Sequence, residues 1–213
     1  RKNQSNEINN SLRLIIRDNM YSIKNNSINE LIIKNSKFIT LLYKVDDINK
    51  INYYLDKVKE TYKDATHYCY AYIISDIKRS SDDNEPSGTA GIPMLDVLEK
   101  NNLNNVLAIV VRYFGGIKLG SGGLIRAYNK SVRACLNLVD KVKLIKGYNI
   151  DITFDYNDTK KIEYLLKDTT ILNKSYNEKI TYNVDIDTKY LDILNKNKIN
   201  YIIKKEVYIE TNY

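Results

Sequence analysis

SDDNEPSGTAGIPMLDVLEKNNLNNVLAIVVRYFGGIKLGSGGLIRAY, residues 81–128, is the stretch from which the rest of the chain is read. Seven of the eight glycines lie in it (Gly88, Gly91, Gly115, Gly116, Gly120, Gly122 and Gly123), together with both prolines, Pro86 and Pro93. Glycine is used where φ is positive or where a backbone or ligand comes close, so this density is a local demand rather than compositional drift. Residues 105–114, NVLAIVVRYF, are nearly continuously apolar and read as a buried central strand. A helix over about 89–100 precedes it. The glycine-rich turn 115–123 leads from it into a second helix, with Leu124, Tyr128, Val132, Cys135 and Val139 at helical spacing.

Upstream, residues 66–74, THYCYAYII, alternate as a strand, with His67, Cys69, Ala71 and Ile73 on one face and Tyr68, Tyr70, Tyr72 and Ile74 on the other. Residues 28–45 are rich in β-branched and aromatic side chains. The polar break at Asn35-Ser36 divides them into a hairpin. Asp46 or Asp47 caps a helix whose apolar stripe is Ile48, Ile51, Leu55, Val58 and Tyr62. Downstream of Lys141 the pattern becomes strand 147–156, helix 158–167, strands 170–177 and 179–186, helix 188–197 and strand 199–210. That order, β-α-β-β-α-β, is ferredoxin-like. The reading is therefore α+β with three parts: an extension at 1–19, a first domain at 20–141 and a ferredoxin-like domain at 142–213.

The 213 residues are 43% apolar and 28% charged, the composition of a soluble globular chain with one large or two small domains. No apolar run approaches the ~18–20 residues of a membrane span, so no membrane partner is expected. The two cysteines, Cys69 and Cys135, argue against a disulfide framework and for a reducing, cytoplasmic setting. Residues 1–19 are polar and begin with Arg, and Met20 is read as the start of the folded protein; a remnant of an organelle-targeting sequence is the other reading. The net charge of +7 suits a polyanionic partner such as RNA.

Charge is segregated within the glycine-rich stretch. Residues 80–99 contain five acids, Asp82, Asp83, Glu85, Asp96 and Glu99, and no base. Residues 100–139 contain six bases, Lys100, Arg112, Lys118, Arg126, Lys130 and Arg133, and no acid. If both segments line one cleft, Asp82, Asp83 and Glu85 form an anionic wall opposite a cationic one. The plainer alternative is two solvated faces that differ in sign. The turn Gly115, Gly116, Lys118, Gly120, Gly122, Gly123 offers backbone N–H groups at a helix start, an anion site to which Arg112, Lys118, Arg126 and Lys130 add charge. Equally, the glycines allow a tight strand-to-helix crossing. The turn is neither a Walker A loop nor a dinucleotide fingerprint, because it lacks Gly-Lys-Ser/Thr and a suitably placed acid. Three carboxylates in four residues also do not make an EF-hand. His67 and Cys69 share a strand face about 6.5–7 Å apart. They could pair as base and nucleophile or supply two metal ligands, though two do not complete a zinc site; structural packing is the more frequent role for such residues. No cofactor and no metal site is expected.

The segments DATHYCYAY (64–72), SDDNEPSGTAGIPMLDVL (81–98) and VVRYFGGIKLGSGGLIRAY (110–128) resemble the three signature blocks of the IMPACT/YigZ family, in order and spacing. Ser36-Lys37-Phe38-Ile39 resembles the family's entry strand. The likeness covers about 20–140, and the β-α-β-β-α-β tail resembles the bacterial-type second domain. It implies a first domain of the ribosomal-protein-S5-domain-2-like fold and a ferredoxin-like second one, both similar to domains of translational GTPases. Eukaryotic members restrain the amino-acid-starvation kinase pathway and carry an RWD domain, which has no counterpart in this sequence. The resemblance implies a translation-linked regulatory protein that binds RNA, the ribosome or a translation-associated protein, rather than an enzyme. Tyr156, Tyr164, Tyr176 and Tyr182 of the second domain are candidates for base stacking. The alternative is a Mg²⁺-dependent enzyme for a phosphorylated small molecule or nucleotide, with Asp82, Asp83 or Glu85 on the metal. Small-molecule kinases of the same S5-like fold supply that analogy.

Overall fold

The computed structural model describes residues 20–75 and 77–211; the extension at 1–19 lies outside them. The chain divides into two compact units after Lys143. The fold is α+β, with two antiparallel sheets and five α-helices among the described residues. It comprises an S5-domain-2-like unit and a ferredoxin-like unit.

In the first unit, β1 (Met20–Ile23), β2 (Ser27–Ile33) and β3 (Ser36–Lys44) precede helix α1 (Ile51–Thr61). Then follow β4 (His67–Ile74), β5 (Ile77–Ser81), helix α2 (Gly91–Lys100), β6 (Val106–Tyr113) and helix α3 (Ser121–Leu136). The sheet order is β2-β3-β6-β4-β5, every pair antiparallel, with β6 at its centre. Lys34 and Asn35, with φ of 45° and 63°, make the two-residue turn between β2 and β3. Positive φ at both central residues is what a tight hairpin turn requires. Asp47 accepts a hydrogen bond from the Asn49 N–H at 2.9 Å, capping the 3-10 turn that runs into α1.

The alternation of β4 separates two cores. Cys69, Ala71 and Ile73 face a cluster with Met94, Val97 and Leu98 of α2 and Leu124, Tyr128 and Val132 of α3. Tyr72 and Ile74 face the opposite cluster, with Ile51 and Val58 of α1. Seven consecutive residues of β6, Val106–Arg112, are buried because helices cover both faces of this strand. Fully burying an aliphatic side chain of this size contributes about 1.5–3 kcal/mol. This strand therefore holds the glycine-rich turn that follows it in a fixed place.

Two strands have no counterpart in the sequence reading. β5, IKRSS, is mostly exposed and polar, so no apolar periodicity marks it. β1 is only four residues long and is held by backbone bonds, Tyr21 N–H to Asn102 O and Asn104 N–H to Tyr21 O.

Strand β7 (Lys141–Phe154) begins six residues earlier than the pattern from 147 suggests. The second unit continues with α4 (Thr159–Leu165), β8 (Thr170–Tyr176), β9 (Ile180–Asp187), α5 (Lys189–Lys196) and β10 (Tyr201–Thr211). Strands of this unit run in the order β10-β7-β9-β8. This is the ferredoxin-like arrangement. Ile150, Ile152, Tyr182, Val184 and Ile186 pack with Ile162, Leu166, Tyr190 and Leu194 on the helical side. The other face is a polar ladder: Asn149 opposite Asp185, Asp151 opposite Asn183, Thr153 opposite Thr181. Its side chains bond one another, Asn149 Nδ2 to Asp185 Oδ1 at 2.7 Å and Asn183 Nδ2 to Asp151 Oδ1 at 2.6 Å.

Candidate nucleic-acid interface

The acidic loop between β5 and α2 folds inward. Glu85 is 7% exposed and Arg112, on β6, only 4%. Arg112 Nη1 donates to Glu85 Oε1 at 2.6 Å, and the Tyr128 hydroxyl donates to the same oxygen at 2.7 Å. His67 Nε2 stands 3.7 Å from Glu85 Oε2. On its other edge, Arg112 Nη2 donates to Ser36 Oγ at 3.4 Å, and that oxygen also accepts the Gly115 N–H at 3.2 Å. A buried polar chain thus runs from the acidic loop through β6 and β3 to the first glycine of the turn. The guanidinium carbon lies 5.4 Å from the centre of the Phe38 ring and 5.7 Å from that of Phe114.

This placement corrects the reading of Arg112 as a surface contact for phosphate: its guanidinium is shut in and already neutralised. It equally corrects the reading of Asp82, Asp83 and Glu85 as an anionic wall. Asp82 accepts the backbone N–H groups of Gly88 (2.8 Å), Ala90 (2.9 Å) and Gly91 (2.8 Å), and so caps α2 from a distance. Partial burial pushes its carboxyl upward, but those N–H groups outweigh burial and hold it below the ordinary carboxylate range. Asp83 Oδ2 accepts the Tyr68 N–H at 2.6 Å. The three carboxylates point to three different tasks, and no metal-binding group of three or more His, Cys, Asp or Glu side chains occurs among the described residues.

His67 and Cys69 do not face each other chemically. His67 Nδ1 lies 2.8 Å from the Asp83 carbonyl oxygen, which can only accept, so Nδ1 carries the hydrogen. Cys69 is fully buried and donates to the Asp82 carbonyl at 3.0 Å and the Tyr128 hydroxyl at 3.3 Å. Burial pushes its thiol far above the ordinary range, which keeps it protonated. A nucleophile needs the thiolate. The pair is therefore structural.

The remaining cations stand outside. Lys118, Arg126 and Lys130 are exposed, and none of the three has an ion-pair partner among the described residues. Helix α3 starts at an N-cap glycine, Gly120, with φ 70° and no side-chain cap. The first-turn N–H groups, which an α-helix cannot satisfy internally, have no side chain of their own cap residue to accept them. Arg126 folds back over this turn: a Cβ built on Gly122 would lie 3.5 Å from Arg126 Nη1. Gly115 is different, since a Cβ there would collide with the backbone of Asn35 and Ser36. The first glycine serves packing, whereas Gly116 and Gly120 have positive φ and open space around them. The packing reading of the turn therefore applies at Gly115, while Gly116 and Gly120 are set by their positive φ.

Ser36 and Tyr128 are the members of the buried chain to which the sequence assigns no polar role. Ser36 stands there at a hairpin turn and at the head of the entry-strand resemblance, and Tyr128 in an apolar stripe at the end of the third block; neither place shows a hydrogen-bonding task. In the second unit, Tyr182 is fully buried in the core, whereas Tyr156, Tyr164 and Tyr176 are 54%, 70% and 57% exposed, Tyr176 opposite Ile180. The open face offers Asn, Asp and Thr but no aromatic ring among Asn149, Asp151, Thr153, Thr181, Asn183 and Asp185. Of the four tyrosines, burial removes Tyr182 as a stacking surface. No helix among the described residues is long and apolar enough to cross a membrane.

A two-unit α+β chain with these signature blocks now meets its relatives. The model of the Impact N-terminal domain matches residues 34–136. The chain is 40% identical over 174 residues to the IMPACT family member YvyE of Bacillus subtilis strain 168, spanning 79% of this chain and 80% of that protein. It is 36% identical over 151 residues to YigZ of Escherichia coli K12, spanning 68% and 74%. A crystal structure described as that of a hypothetical protein superimposes with a TM-score of 0.68 at 27% identity, over 88% of this chain and 98% of that one. The chain belongs to the IMPACT family.

Proposed function

We propose that the protein is a translation-linked regulator that acts by binding, and that RNA, free or in the ribosome, contacts the start of α3. The link to translation comes from the family resemblance. The binding mode rests on one observation: Lys118 and Arg126 are exposed beside an uncapped, glycine-built helix N-terminus and, like Lys130 further along α3, have no ion-pair partner among the described residues, while the carboxylates of the acidic loop are committed internally. Backbone N–H groups and unpaired cations recognise phosphate without reading sequence. The enzymatic alternative needs a free carboxylate for Mg²⁺, and Asp82, Asp83 and Glu85 each have protein partners instead.

The test is RNA binding and ribosome co-sedimentation at graded salt. Affinity should fall steeply between about 50 and 200 mM salt. Replacing Lys118, Arg126 and Lys130 by Ala should flatten that slope by about 0.7 for each phosphate of a single strand that is no longer neutralised. Binding that ignores salt and survives the triple substitution rules the reading out.

A further inference from the structure

We infer that the RNA strand taken by this surface is single-stranded, and that Phe114 is the platform on which one unpaired base stacks. The inference rests on the reading of the α3 start as a phosphate site. Phe114 is 47% exposed, at the point where the buried strand β6 ends. Its position is over-determined. The Phe114 N–H donates to Thr66 Oγ1 at 3.0 Å, and the next N–H, of Gly115, donates to Ser36 Oγ at 3.2 Å. The Arg112 guanidinium carbon lies 5.7 Å from the centre of its ring. Arg112 is itself clamped by Glu85 and by its approach to the Phe38 ring at 5.4 Å. A half-exposed phenyl ring resting on a buried, neutralised guanidinium cannot turn inward, because the space beneath it is taken. Its outer side is a flat, rigid apolar surface in water.

The surroundings select the ligand. Ile117 and Ile125 are also exposed, at 45% and 42%, beside the exposed cations Lys118 and Arg126. A purely apolar patch of this kind would suit another protein. Here it alternates with exposed positive charge, and residues 100–139 contain no acid. A chain that presents phosphates and flat π-faces in alternation matches both features, whereas duplex RNA hides its bases and offers only phosphate and ribose. The six-residue link from Phe114 to Gly120 keeps ring and helix start within about 20 Å at full extension. A short stretch of strand therefore reaches both. The first unit supplies the aromatic surface that the open sheet face of the second unit does not.

The test uses the full chain and two fluorescein-labelled RNAs of equal nucleotide count, one an unstructured strand and one a hairpin duplex, read by anisotropy. The single strand should bind at least tenfold tighter. Phe114→Leu keeps apolar cover over Arg112 but removes the π-face, and should weaken single-strand binding about five- to tenfold, the lower part of what removal of one stacking ring costs. Its salt slope should not change, and Phe114→Tyr should restore the affinity. A 2-aminopurine placed in the strand should change its emission on binding the wild type, as it leaves its neighbouring bases for the ring, and not on binding Phe114→Leu. Equal affinity for both RNAs, or unchanged binding by a folded Phe114→Leu, overturns this inference and leaves the phosphate site standing. Absence of salt-sensitive binding to either RNA removes the phosphate site, and the stacking site with it.

Discussion

Glu85 accepts from Arg112 and Tyr128 with only 3% of its side chain in solvent. A buried ion pair of this kind contributes little relative to an apolar replacement, but removal of one partner strands a charge. Glu85→Ala should lower stability in urea by about 3–5 kcal/mol, and Glu85→Leu combined with Arg112→Met should recover most of the loss. If the double variant is as unstable as the single one, packing rather than charge explains the site. Asp82 makes a different prediction. Its folded pKa lies below the unfolded value, so the unfolded chain binds the extra proton in the acid range. The stabilisation is complete above the ordinary carboxylate pKa, about 4, and disappears as pH falls through the folded value below it. Asp82→Asn, which keeps one acceptor oxygen but loses the charge, should cost about 0.3–1 kcal/mol at pH 7, the scale of a negative charge at a helix start, and much less near pH 2. Denaturant midpoints of both proteins across that range measure the difference.

At the scale of elements, most of the fold is legible because apolar periodicity reports a local property. The alternation of THYCYAYII divides the residues of β4 between two cores, and the run in 105–114 marks β6 as central. β5 escapes because an exposed edge strand such as IKRSS has no buried face to leave a pattern. The site is less legible for a related reason. Glu85 and Arg112 are 27 positions apart, and nothing along the chain records that the loop turns inward to bring them together. Charge segregation is visible in sequence, but which charges are spent inside is decided by tertiary packing. The glycine turn shows the same limit. Gly115 must be glycine because the Asn35–Ser36 backbone lies against it, and Gly120 because of its φ of 70°. Gly115→Ala should therefore separate the turn from the β2–β3 hairpin and destabilise the first unit by several kcal/mol, as overpacking against unyielding backbone does. Gly120→Ala meets open space and should cost less, about 1–3 kcal/mol, the strain of φ 70° with ψ 165°, a region essentially confined to glycine. Thermal unfolding of the two variants ranks them, and the opposite order would contradict the assigned roles.

For the whole molecule, charge is divided between the units as sharply as structure is. Residues 144–213 contain eleven lysines and eleven Asp or Glu, so the entire net charge of +7 belongs to residues 1–143. The ferredoxin-like unit is electrically balanced, and its open sheet face carries Asp151 and Asp185 in a hydrogen-bonded ladder. A polyanion gains little there: Asp151 is already paired with Lys204 at 3.2 Å, and the ladder's amide donors are in use. Hydrogen exchange of the full chain with a saturating single-stranded RNA should therefore show protection in peptides covering Phe114 and the first turns of α3. Peptides from β8 and β9 should exchange at their unliganded rates. Because α3 packs on the sheet through Leu124, Tyr128 and Val132, its N-terminal turn should slow most and its C-terminal turn least. Protection spread over β8 and β9 would instead assign the nucleic acid to the second unit, against both its charge balance and its lack of an exposed aromatic platform on that face.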